Sequence, residues 1–563
     1  MILPQITDLV AICAKKGIQN AILSPGSRCA PLTLVFARHP HIHTRTISDE
    51  RSAAFIALGM AQQLEQPVIL VCTSGSAALN YYPAVAEAFF QQIPLLILTA
   101  DRPAEWIDQY DGQTVFQPEV YGKHVKKSFQ LPDFSSNPDQ LWHSSRIVNE
   151  AINLSQQFPA GPVHINIPLR EPFYPEKGEP LVFPEKPRVF NLLKSKTHPT
   201  DESLIKLKNR LETVRRIVII PGQQRPDPQL QNLLDQLAKT QKAVIVADTI
   251  SNLQSDQTIT LHDHWLGSQE ISENLKPDLI VSFGKSIISK SLKLFLRSTK
   301  ASHWHIQSDG NAKDTFQQLT RTIASSPAYF LHWLAQNLGP QDTEYYQSWH
   351  AFEKAVDSSL TQILQRDVFG EYGALAYCLN KTPSLSKIHV ANSMAVRYLN
   401  FLGKRNQEVI CNRGTSGIDG SNSTAVGCTF TTKEMVTLIT GDMAFFYDRN
   451  AFWHNYTMPN LRVILLNNHA GGIFRLIDGP SNQPELEEFF ETQQPLSANH
   501  LATEFGFFYS KVVNQEELKA SLADFYSDSL HPKILEIETS SPKNAEILKE
   551  VKEKIKIVIQ QQK

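Results

Sequence analysis

Two oxygen-bearing side chains in the last third of the chain have the types and spacing of a metal site. Asp442 follows Gly441 at the end of one apolar run, and Asn468 comes 26 residues later, shortly after the apolar run 461–466. Magnesium prefers oxygen ligands and commonly links a protein to the diphosphate of a substrate or cofactor. The pair, with a nearby backbone carbonyl, therefore predicts a cradle for a small hard cation and a diphosphate.

A second set of candidates lies in loops of the first third. In the segment SPGSRCAP, Gly26 permits a tight turn, and Ser27 and Arg28 can bind an anion ahead of a helix N-terminus. The plainer interpretation is an ordinary strand-to-helix turn with a solvated arginine. Glu50 begins a helical segment, where an acid commonly does no more than interact with the helix dipole. Later loops of this third carry Thr73, Arg102 and Gln113.

Loops of the last third add amide, hydroxyl and guanidinium groups. The segment HVANSMAVR offers Asn392, Ser393 and Arg397, and CNRGTSGIDG offers Arg413 in a glycine-rich loop. For Arg413 the alternative is a simple surface charge, and for Ile418 in the same loop it is a core plug. Ligands of open α/β sheets lie beyond the carboxyl ends of the strands, which makes these loops candidates for ligand contacts.

The elements that must position these residues are short runs rich in Val, Ile and Leu. Such runs predict strands buried on both faces, as in parallel sheets, and helical patterns such as 51–62 and 84–92 lie between them. This alternation predicts an α/β chain with several doubly wound parallel sheets. The runs are 20–23, 67–71, 94–98, 163–167, 216–220, 243–246, 279–281, 388–390, 408–410, 436–439, 463–466 and 534–537.

Two breaks divide the 563 residues into segments of ordinary domain size. Residues 171–190 hold five prolines and several charges, which is typical of an interdomain linker. A weaker break lies in the polar, helix-rich region 339–365. The predicted organisation is an N-terminal domain at 1–180, a linker at 181–200, a central domain at 201–345 and a C-terminal domain at 346–563.

Composition excludes several classes of protein. Hydrophobic residues make up 42% and charged residues 20%, as in ordinary globular chains, and a net charge of −2 gives no global field for nucleic acid. Six scattered cysteines form no CxxC pair, so neither a disulfide framework nor a zinc site is indicated. The N-terminus lacks a basic stretch before its apolar run, and no apolar run approaches the roughly 20 residues that span a bilayer. We therefore expect a cytoplasmic protein with no membrane span.

These motifs together resemble those of thiamine diphosphate enzymes, whose magnesium-diphosphate signature begins Gly-Asp-Gly and ends Asn-Asn. Here Met443 stands at the third position, and His469 and Ala470 precede Gly471-Gly472. The resemblance is closest to the branch of this family that acts in menaquinone biosynthesis, and it covers nearly the whole chain. It is carried by SPGSR, DER, TSG, TADRP, GQTVFQ, ANSMAVR, NRGTSGIDG, GDMAFFYD and NNHAGGIF.

The resemblance implies a fold, a reaction and an assembly. Three α/β domains would bind the cofactor pyrimidine (N-terminal), provide structure (central) and bind the diphosphate (C-terminal). The implied reaction decarboxylates 2-oxoglutarate and adds the remaining four-carbon unit to isochorismate, so the protein would be a transferase. The cofactor would lie between the N-terminal domain of one subunit and the C-terminal domain of another, which implies a homodimer or homotetramer.

The resemblance also implies roles for single residues. Asp442, Asn468 and the carbonyl of Ala470 would bind Mg²⁺, with Mn²⁺ as a possible substitute. Glu50 would hydrogen-bond the pyrimidine ring nitrogen and so promote the imino tautomer that removes the reactive proton. Further cofactor contacts would come from Thr73, Asn392, Ile418, Gly441, Met443, Ile473 and Phe474. Substrate carboxylates would meet Arg28, Arg102, Arg397 and Arg413, with Ser27, Gln113 and Ser393 as orienting groups and Lys290 as a central-domain cation.

Two alternatives stay open at the level of the sequence. One is another thiamine diphosphate-dependent decarboxylase or carboligase acting on pyruvate or a similar 2-oxo acid, for which fewer arginines would suffice. The other is a non-catalytic cofactor-binding protein, which the presence of both Glu50 and the metal pair argues against. A flavin-bearing acetohydroxyacid synthase is disfavoured because the central segment shows no clear dinucleotide fingerprint.

Overall fold

The computed structural model describes residues 4–133, 137–193, 195–267, 273–366 and 369–561. Within these residues, eighteen strands form three six-stranded sheets in which every pairing is parallel. The predicted α/β class with three doubly wound parallel sheets is confirmed. No helix among the described residues is both long enough and apolar enough to cross a bilayer.

The first sheet has the strand order β2-β1-β3-β4-β6-β5. Its strands are β1 Asn20–Leu23, β2 His43–Thr46, β3 Val68–Cys72, β4 Leu95–Asp101, β5 Ser128–Gln130 and β6 Val163–Pro168. Its helices are α1 Pro4–Lys15, α2 Ala30–Arg38, α3 Glu50–Leu64, α4 Ser76–Asn80, α5 Tyr82–Gln91 and α6 Pro138–Gln156.

The central sheet has the order β12-β11-β10-β7-β8-β9, which is the dinucleotide-fold order with its switch point between β7 and β10. Its strands are β7 Ile217–Pro221, β8 Val244–Val246, β9 Thr258–Ile259, β10 Leu279–Phe283, β11 Ser302–Ile306 and β12 Leu319–Ile323. The accompanying helices are α7 Asp201–Leu211, α8 Pro228–Lys239, α9 Lys290–Arg297, α10 Pro327–Asn337 and α11 Thr343–Leu364.

The third sheet, β14-β13-β15-β16-β18-β17, repeats the order of the first. Its strands are β13 Ser386–Val390, β14 Glu408–Ile410, β15 Met435–Gly441, β16 Leu461–Asn467, β17 Phe508–Val512 and β18 Lys533–Glu538. Its helices are α12 Glu371–Lys381, α13 Met394–Phe401, α14 Ser421–Thr429, α15 Asp442–Tyr447, α16 Asn499–Phe505, α17 Gln515–Phe525 and α18 Ser541–Gln560.

The first and third sheets are joined through helices α3 and α14, whose backbones pass very close together. A Cβ atom added to Gly59 of α3 would lie 2.1 Å from the carbonyl oxygen of Thr424. A Cβ added to Gly427 of α14 would lie 2.0 Å from the carbonyl oxygen of Ile56. Glycine is therefore required at both crossing points, and apolar residues of both sheets form one continuous core around them.

The predicted domain limits stay predictions, but two of them can be placed on the fold. No helix or strand occurs among the described residues between Pro168, the end of β6, and Asp201, the start of α7, and the predicted linker lies inside this stretch. The predicted boundary between 345 and 346 falls inside α11, which packs on the C-terminal helix α18. One apolar core accordingly runs from the central sheet into the third.

Candidate active site

The predicted metal ligands lie together at the carboxyl edge of the third sheet. Strands β15 and β16 are hydrogen-bonded neighbours, with Gly441 paired to Leu466, so the residues that follow them meet at one edge. Asp442 is 2% exposed and Asn468 is 9% exposed. The amide nitrogen of Ala470 donates to Asn468 Oδ1 at 3.0 Å and also hydrogen-bonds Asp442. The strand register thus brings the two oxygen ligands together.

Asp442 is a buried acid whose second oxygen is already engaged. Gln494 Nε2 donates to Asp442 Oδ2 at 2.8 Å, and the Gln494 backbone is tied to the carbonyl of His469 at 2.9 Å. Burial raises the pKa of Asp442 to about 6, and the hydrogen bond from Gln494 offsets part of that rise. Gln494 thereby fixes one carboxylate oxygen, and the backbone amides of Met443 and Ala470 also hydrogen-bond the carboxylate, so Asp442 is held in a defined orientation.

A second buried acid, Glu371, stands beside this pair. Its Oε1 accepts a hydrogen bond from Asn468 Nδ2 at 2.7 Å. Burial raises the pKa of Glu371 to about 7, and the charge of Asp442 contributes to that rise. Two buried acids near one another are costly without a compensating positive charge. The donor set of carboxylate and amide oxygens therefore fits a divalent cation such as Mg²⁺.

The loop after Asn468 carries the third predicted ligand. The carbonyl oxygen of Ala470 accepts from the amide of Gly472 at 2.9 Å, which leaves one lone pair for a metal. Ile473 and Phe474 follow on a 3₁₀ helix spanning Gly472–Leu476 and are half-buried.

Both residues that flank Asp442, Gly441 and Met443, are half-buried as well. The departures from the family signature at Met443, His469 and Ala470 thus leave the buried ligand pair in place. The roles predicted for the residues around the pair stay predictions.

A pair of guanidinium groups lies beyond the carboxyl ends of the neighbouring strands β13 and β14, with Arg397 on helix α13 and Arg413 in the loop after β14. Arg413 Nη1 donates to Asn392 Oδ1 at 2.8 Å, while its Nε is buried without a partner in the described part of the chain. Arg397 Nη1 donates to the carbonyl of Ser393 at 2.6 Å. Burial lowers the pKa of Arg397, and the charge of Arg413 lowers it further. The two cations are therefore close together in a half-buried position, which suits an anionic ligand.

The loop that carries Arg413 is held by the first sheet's helix α5. The buried carboxylate of Glu87 accepts from the amides of Gly414 and Thr415, at 2.7 and 2.6 Å, and from the Thr415 hydroxyl at 2.7 Å. Asn392 Nδ2 donates to the carbonyl of Gly417 at 2.8 Å. Ile418 of this loop, a predicted cofactor contact, is 38% exposed. It is therefore not a core plug.

At the carboxyl edge of the first sheet, the loops after β1 and β3 are in close contact. A Cβ added to Gly26 would lie 2.3 Å from the Cβ of Thr73, so only glycine allows this approach. Thr73 Oγ1 is buried and has no hydrogen-bond partner within the residues that the structure describes. An orphaned hydroxyl at a sheet edge fits a site that a polar ligand completes.

Glu50 is the first residue of α3 and lies at this same edge. The N-cap of α3 is Asp49, whose side chain accepts from the amide of Ser52 at 3.0 Å, so Glu50 itself is not used as the cap. Among the residues that the structure describes, its half-buried carboxylate receives one long contact, from Asn80 Nδ2 at 3.5 Å. Burial, with a smaller contribution from Glu50, raises the pKa of the Cys29 thiol nearby. The Glu50 carboxylate is thus placed beside the β1 and β3 loops, and the described part of the chain uses little of its hydrogen-bonding capacity.

The two arginines predicted in the first third have structural contacts of their own. Arg28 is buried, donates to the carbonyl of Leu169 at 2.9 Å and lies 4.6 Å from the ring centre of Phe173. Arg102 pairs with Asp111 at 2.9 Å and donates to the carbonyl of Gly112 at 3.0 Å. Burial lowers the pKa of Arg28, and Arg102 contributes, so the two guanidinium groups lie near one another. Their predicted substrate contacts stay predictions.

The remaining candidates in the first third are surface residues. Ser27 and Gln113 are both exposed, and the backbone of Gln113 lies over Gly75, where a Cβ would come within 3.2 Å of it. On the central domain, Lys290 is exposed at the start of α9. One turn later Lys293 is half-buried; burial lowers its pKa, and both arginines of the guanidinium pair contribute. Lys293 is thus the lysine of α9 that lies in the field of that pair.

Several residues at the site could not be predicted from the sequence. Glu371, Gln494, Glu87 and Lys293 stand in no recognisable motif, and each is brought to the site by a contact with a distant segment. Glu371 and Asn468 are 97 residues apart in the chain. For Glu371 the one available signal is an acid directly after a glycine, Gly370-Glu371, which is too common to be specific.

Comparison with protein families agrees with this geometry. Residues 6–126 match the model of the N-terminal binding domain of thiamine pyrophosphate enzymes, another name for thiamine diphosphate enzymes. Residues 193–387 match the model of the middle domain of the same enzymes. Together with the three parallel sheets, these matches define a thiamine diphosphate-dependent enzyme.

Curated relatives narrow the class. The chain is 46% identical to the 2-succinyl-5-enolpyruvyl-6-hydroxy-3-cyclohexene-1-carboxylate synthase of Cytophaga hutchinsonii, over 98% of each chain. It is 38% identical to the synthases of that name from Christiangramia forsetii, covering 97% of this chain and 98% of the relative, and Flavobacterium johnsoniae, covering 98% and 99%. The chain belongs to the family of 2-succinyl-5-enolpyruvyl-6-hydroxy-3-cyclohexene-1-carboxylate synthases, thiamine diphosphate-dependent transferases of menaquinone biosynthesis.

Proposed function

We propose that the protein uses Mg²⁺ together with thiamine diphosphate to decarboxylate 2-oxoglutarate and to join the remaining four-carbon unit to isochorismate. The observation that carries this substrate pair is the half-buried arginine pair, Arg397 and Arg413, at the edge that also holds the buried Asp442 and Asn468. Both proposed substrates are dicarboxylates, so a site for them needs more than one guanidinium group.

The residues of the chain have separate tasks in this proposal. Asp442, Asn468 and the Ala470 carbonyl would hold Mg²⁺ against the cofactor diphosphate, and Glu50 would hydrogen-bond the pyrimidine ring. When bound, thiamine diphosphate supplies the nucleophilic carbon that breaks and forms carbon–carbon bonds beside a carbonyl. One of the four substrate carboxylates leaves as carbon dioxide and the product retains three, so one proton is taken up in each turnover.

Substrate orientation would fall to the arginines and their neighbours. Arg397 and Arg413 would bind carboxylates bidentately, since their guanidinium groups are held by backbone and amide acceptors. Arg28 and Arg102 would extend this positive field from the first sheet, and Ser27, Gln113 and Ser393 would orient the substrates or the product. Thr73, Asn392, Gly441, Met443, Ile418, Ile473 and Phe474 would line the cofactor.

We further propose that two copies of the chain share each site, the Glu50 edge of one facing the Asp442 edge of the other. Large apolar side chains are exposed near both edges, as at interfaces. Leu79 directly precedes Asn80, which hydrogen-bonds Glu50. Arg51, the residue after Glu50, donates to the backbone carbonyl of Tyr447 at 2.8 Å. The exposed fractions are 43% for Leu79, 38% for Ile418, 51% for Tyr447 and 54% for Trp453.

The direct test is a substrate-exchange assay. Purified protein with thiamine diphosphate and Mg²⁺ should consume isochorismate only when 2-oxoglutarate is present, with one carbon dioxide released for each isochorismate consumed. Pyruvate in place of 2-oxoglutarate should give little turnover, because it lacks the second carboxylate that an arginine would bind. Equal or faster turnover of pyruvate would reject the proposed substrate pair in favour of a different 2-oxo acid carboligase.

A further inference from the structure

Glu371 is a buried acid at the metal site with a fixed geometry. It is the first residue of α12 and is 2% exposed. Its backbone amide donates to Asn544 Oδ1 at 3.0 Å, and its carboxylate contacts Asn468 Nδ2 at 2.7 Å and the side chain of Tyr398. Glu371 is therefore held by three separate segments of the chain, one through its backbone and two through its carboxylate, which fixes the orientation of the carboxylate.

The contact with Asn468 determines which end of that amide faces the cation. Only the oxygen of an asparagine side chain can bind Mg²⁺, because the amide nitrogen has no available lone pair. With Nδ2 directed at Glu371, Oδ1 faces the Ala470 amide at 3.0 Å, on the side of Asp442. In the flipped amide, Oδ1 would meet the Glu371 carboxylate and Nδ2 would meet the Ala470 N–H, so both contacts would be repulsive.

We propose that Glu371 is a positioning residue for the metal site, which holds the Asn468 amide with its oxygen toward the cation. The inference rests on the proposed Mg²⁺ site and adds a residue that acts through Asn468 rather than on substrate or cofactor. Partners of this kind orient metal ligands, and their loss typically weakens metal binding by about 10- to 100-fold.

The test is metal affinity rather than turnover. Mn²⁺ is titrated into protein saturated with thiamine diphosphate, and the free ion is followed by its electron paramagnetic resonance signal. Glu371→Met should raise the Kd for Mn²⁺ by about 10- to 100-fold. Glu371→Gln keeps an acceptor for Asn468 Nδ2 and should stay within about fivefold of the wild type, the value of a modest hydrogen-bond change.

A matched control uses Asn467, the residue that directly precedes Asn468 in the chain. Glu536 is equally buried, and its Oε1 accepts from Asn467 Nδ2 at 2.6 Å, but Asn467 is not a proposed metal ligand. Glu536→Gln should therefore leave the Mn²⁺ affinity unchanged even if it lowers the melting temperature. Thermal unfolding of every variant separates loss of the metal site from loss of the fold.

A second background tests orientation against simple charge. An aspartate introduced by Asn468→Asp has two equivalent oxygens, so no orienting partner is needed, and its charge would repel Glu371. In that background Glu371→Gln should strengthen Mn²⁺ binding, whereas in the wild-type background it should leave the Kd within about fivefold.

Two outcomes overturn the inference. One is a wild-type Mn²⁺ affinity in Glu371→Met. The other is equal weakening by Glu371→Gln in both backgrounds, which would indicate charge attraction instead of orientation. Wild-type protein that binds no Mn²⁺ would instead reject the proposed metal site itself.

Discussion

The first and third sheets share one strand order, yet the candidate residues at their carboxyl edges differ in burial and in hydrogen bonding. At the third sheet, Asp442 and Asn468 are almost fully buried and each is hydrogen-bonded by a neighbouring side chain. At the first sheet, Glu50 is half-buried with one contact at 3.5 Å, and Ser27 and Gln113 are exposed. The same topology therefore carries one closed edge, where the candidate side chains are buried and fixed by hydrogen bonds, and one open edge, where they are accessible.

This difference indicates a division of labour. Binding a divalent cation requires ligands fixed before the ion arrives, since loose ligands lose affinity. An acid that must meet a cofactor ring brought by another surface has to remain accessible. An open Glu50 edge and a closed Asp442 edge are what a site shared between two copies of one chain would need.

The largest expected effects are losses of turnover, and one substitution at each edge should cause them with different consequences for metal binding. Asp442→Ala should abolish both Mn²⁺ binding and measurable turnover, because it removes a metal ligand. Glu50→Gln should lower kcat by about 100- to 10,000-fold, the range for loss of a proton-transfer group, while Mn²⁺ affinity stays near the wild-type value. Turnover and Mn²⁺ titration of both variants check this, and a Glu50→Gln enzyme with near-normal kcat would contradict the role of the open edge.

The next effect tests whether one site uses both edges of two copies. Glu50→Gln and Asp442→Ala chains, co-expressed with different tags and purified through both, should regain activity that neither shows alone. Each mixed dimer then has one site with both substitutions and one with none. In an unsorted pool of equal amounts, about a quarter of the sites should be intact. Absence of any recovery in the doubly purified mixture would mean that each chain completes its own site.

A smaller effect concerns the positive field at the closed edge. Lys293→Met should raise KM for a dicarboxylate substrate by about 10-fold, with kcat less affected, since one charge-assisted contact is worth about 1.5 to 3 kcal/mol at most. Lys290→Met, three residues earlier on the exposed start of α9, is the matched control and should leave KM unchanged. If Lys290→Met has the larger effect, the assignment of the field to Lys293 is wrong.

The sequence predicted the strands that are buried on both faces better than those at sheet edges. All twelve predicted runs fall on strands of the structure, because a run of Val, Ile and Leu is needed where both faces are covered. The edge strands β2, with sequence HTRT, and β17, with FYSKV, are largely half-buried or exposed and carry polar residues. The sequence pattern of these two strands cannot be distinguished from that of a loop, so neither strand is among the predicted runs.

For the site, too, only the residues with a clear local sequence pattern could be predicted. Asp442 and Asn468 could be predicted because each follows a buried strand, and adjacent parallel strands end at one edge. Glu371 and Glu87 could not, since their partners lie 97 and 327 residues away and depend on helix packing. Lys290 stays a prediction, and Lys293 could not be predicted beside it, because the sequence indicates the helix but not which of its faces lies toward Arg413.

The smallest expected effect concerns thermal stability and arises where the domains of the first and third sheets meet. Asp448 is buried beside α14 and accepts from the Ser423 amide at 2.7 Å and from its hydroxyl at 2.8 Å. The charge of Arg51 lowers the pKa of Asp448, and the charge of Asp419 raises it. Burial raises the pKa of Asp448 to about 7, above the value of 3.8 for a free side chain. The folded protein therefore holds a proton that the unfolded chain releases between about pH 4 and pH 7.

The sign of the resulting pH dependence follows from that proton. The stabilisation from Asp448 is fully present below the unfolded pKa and is lost as pH rises through the folded pKa, by about 1.4 kcal/mol for each pH unit in between. Asp448→Asn removes this slope. The difference in melting temperature, wild type minus variant, should thus be more positive at pH 5.5 than at pH 8 in calorimetry without metal or cofactor. The exposed Asp357→Asn should show no such trend, and a difference that is constant with pH would place the Asp448 carboxylate in a far less buried setting.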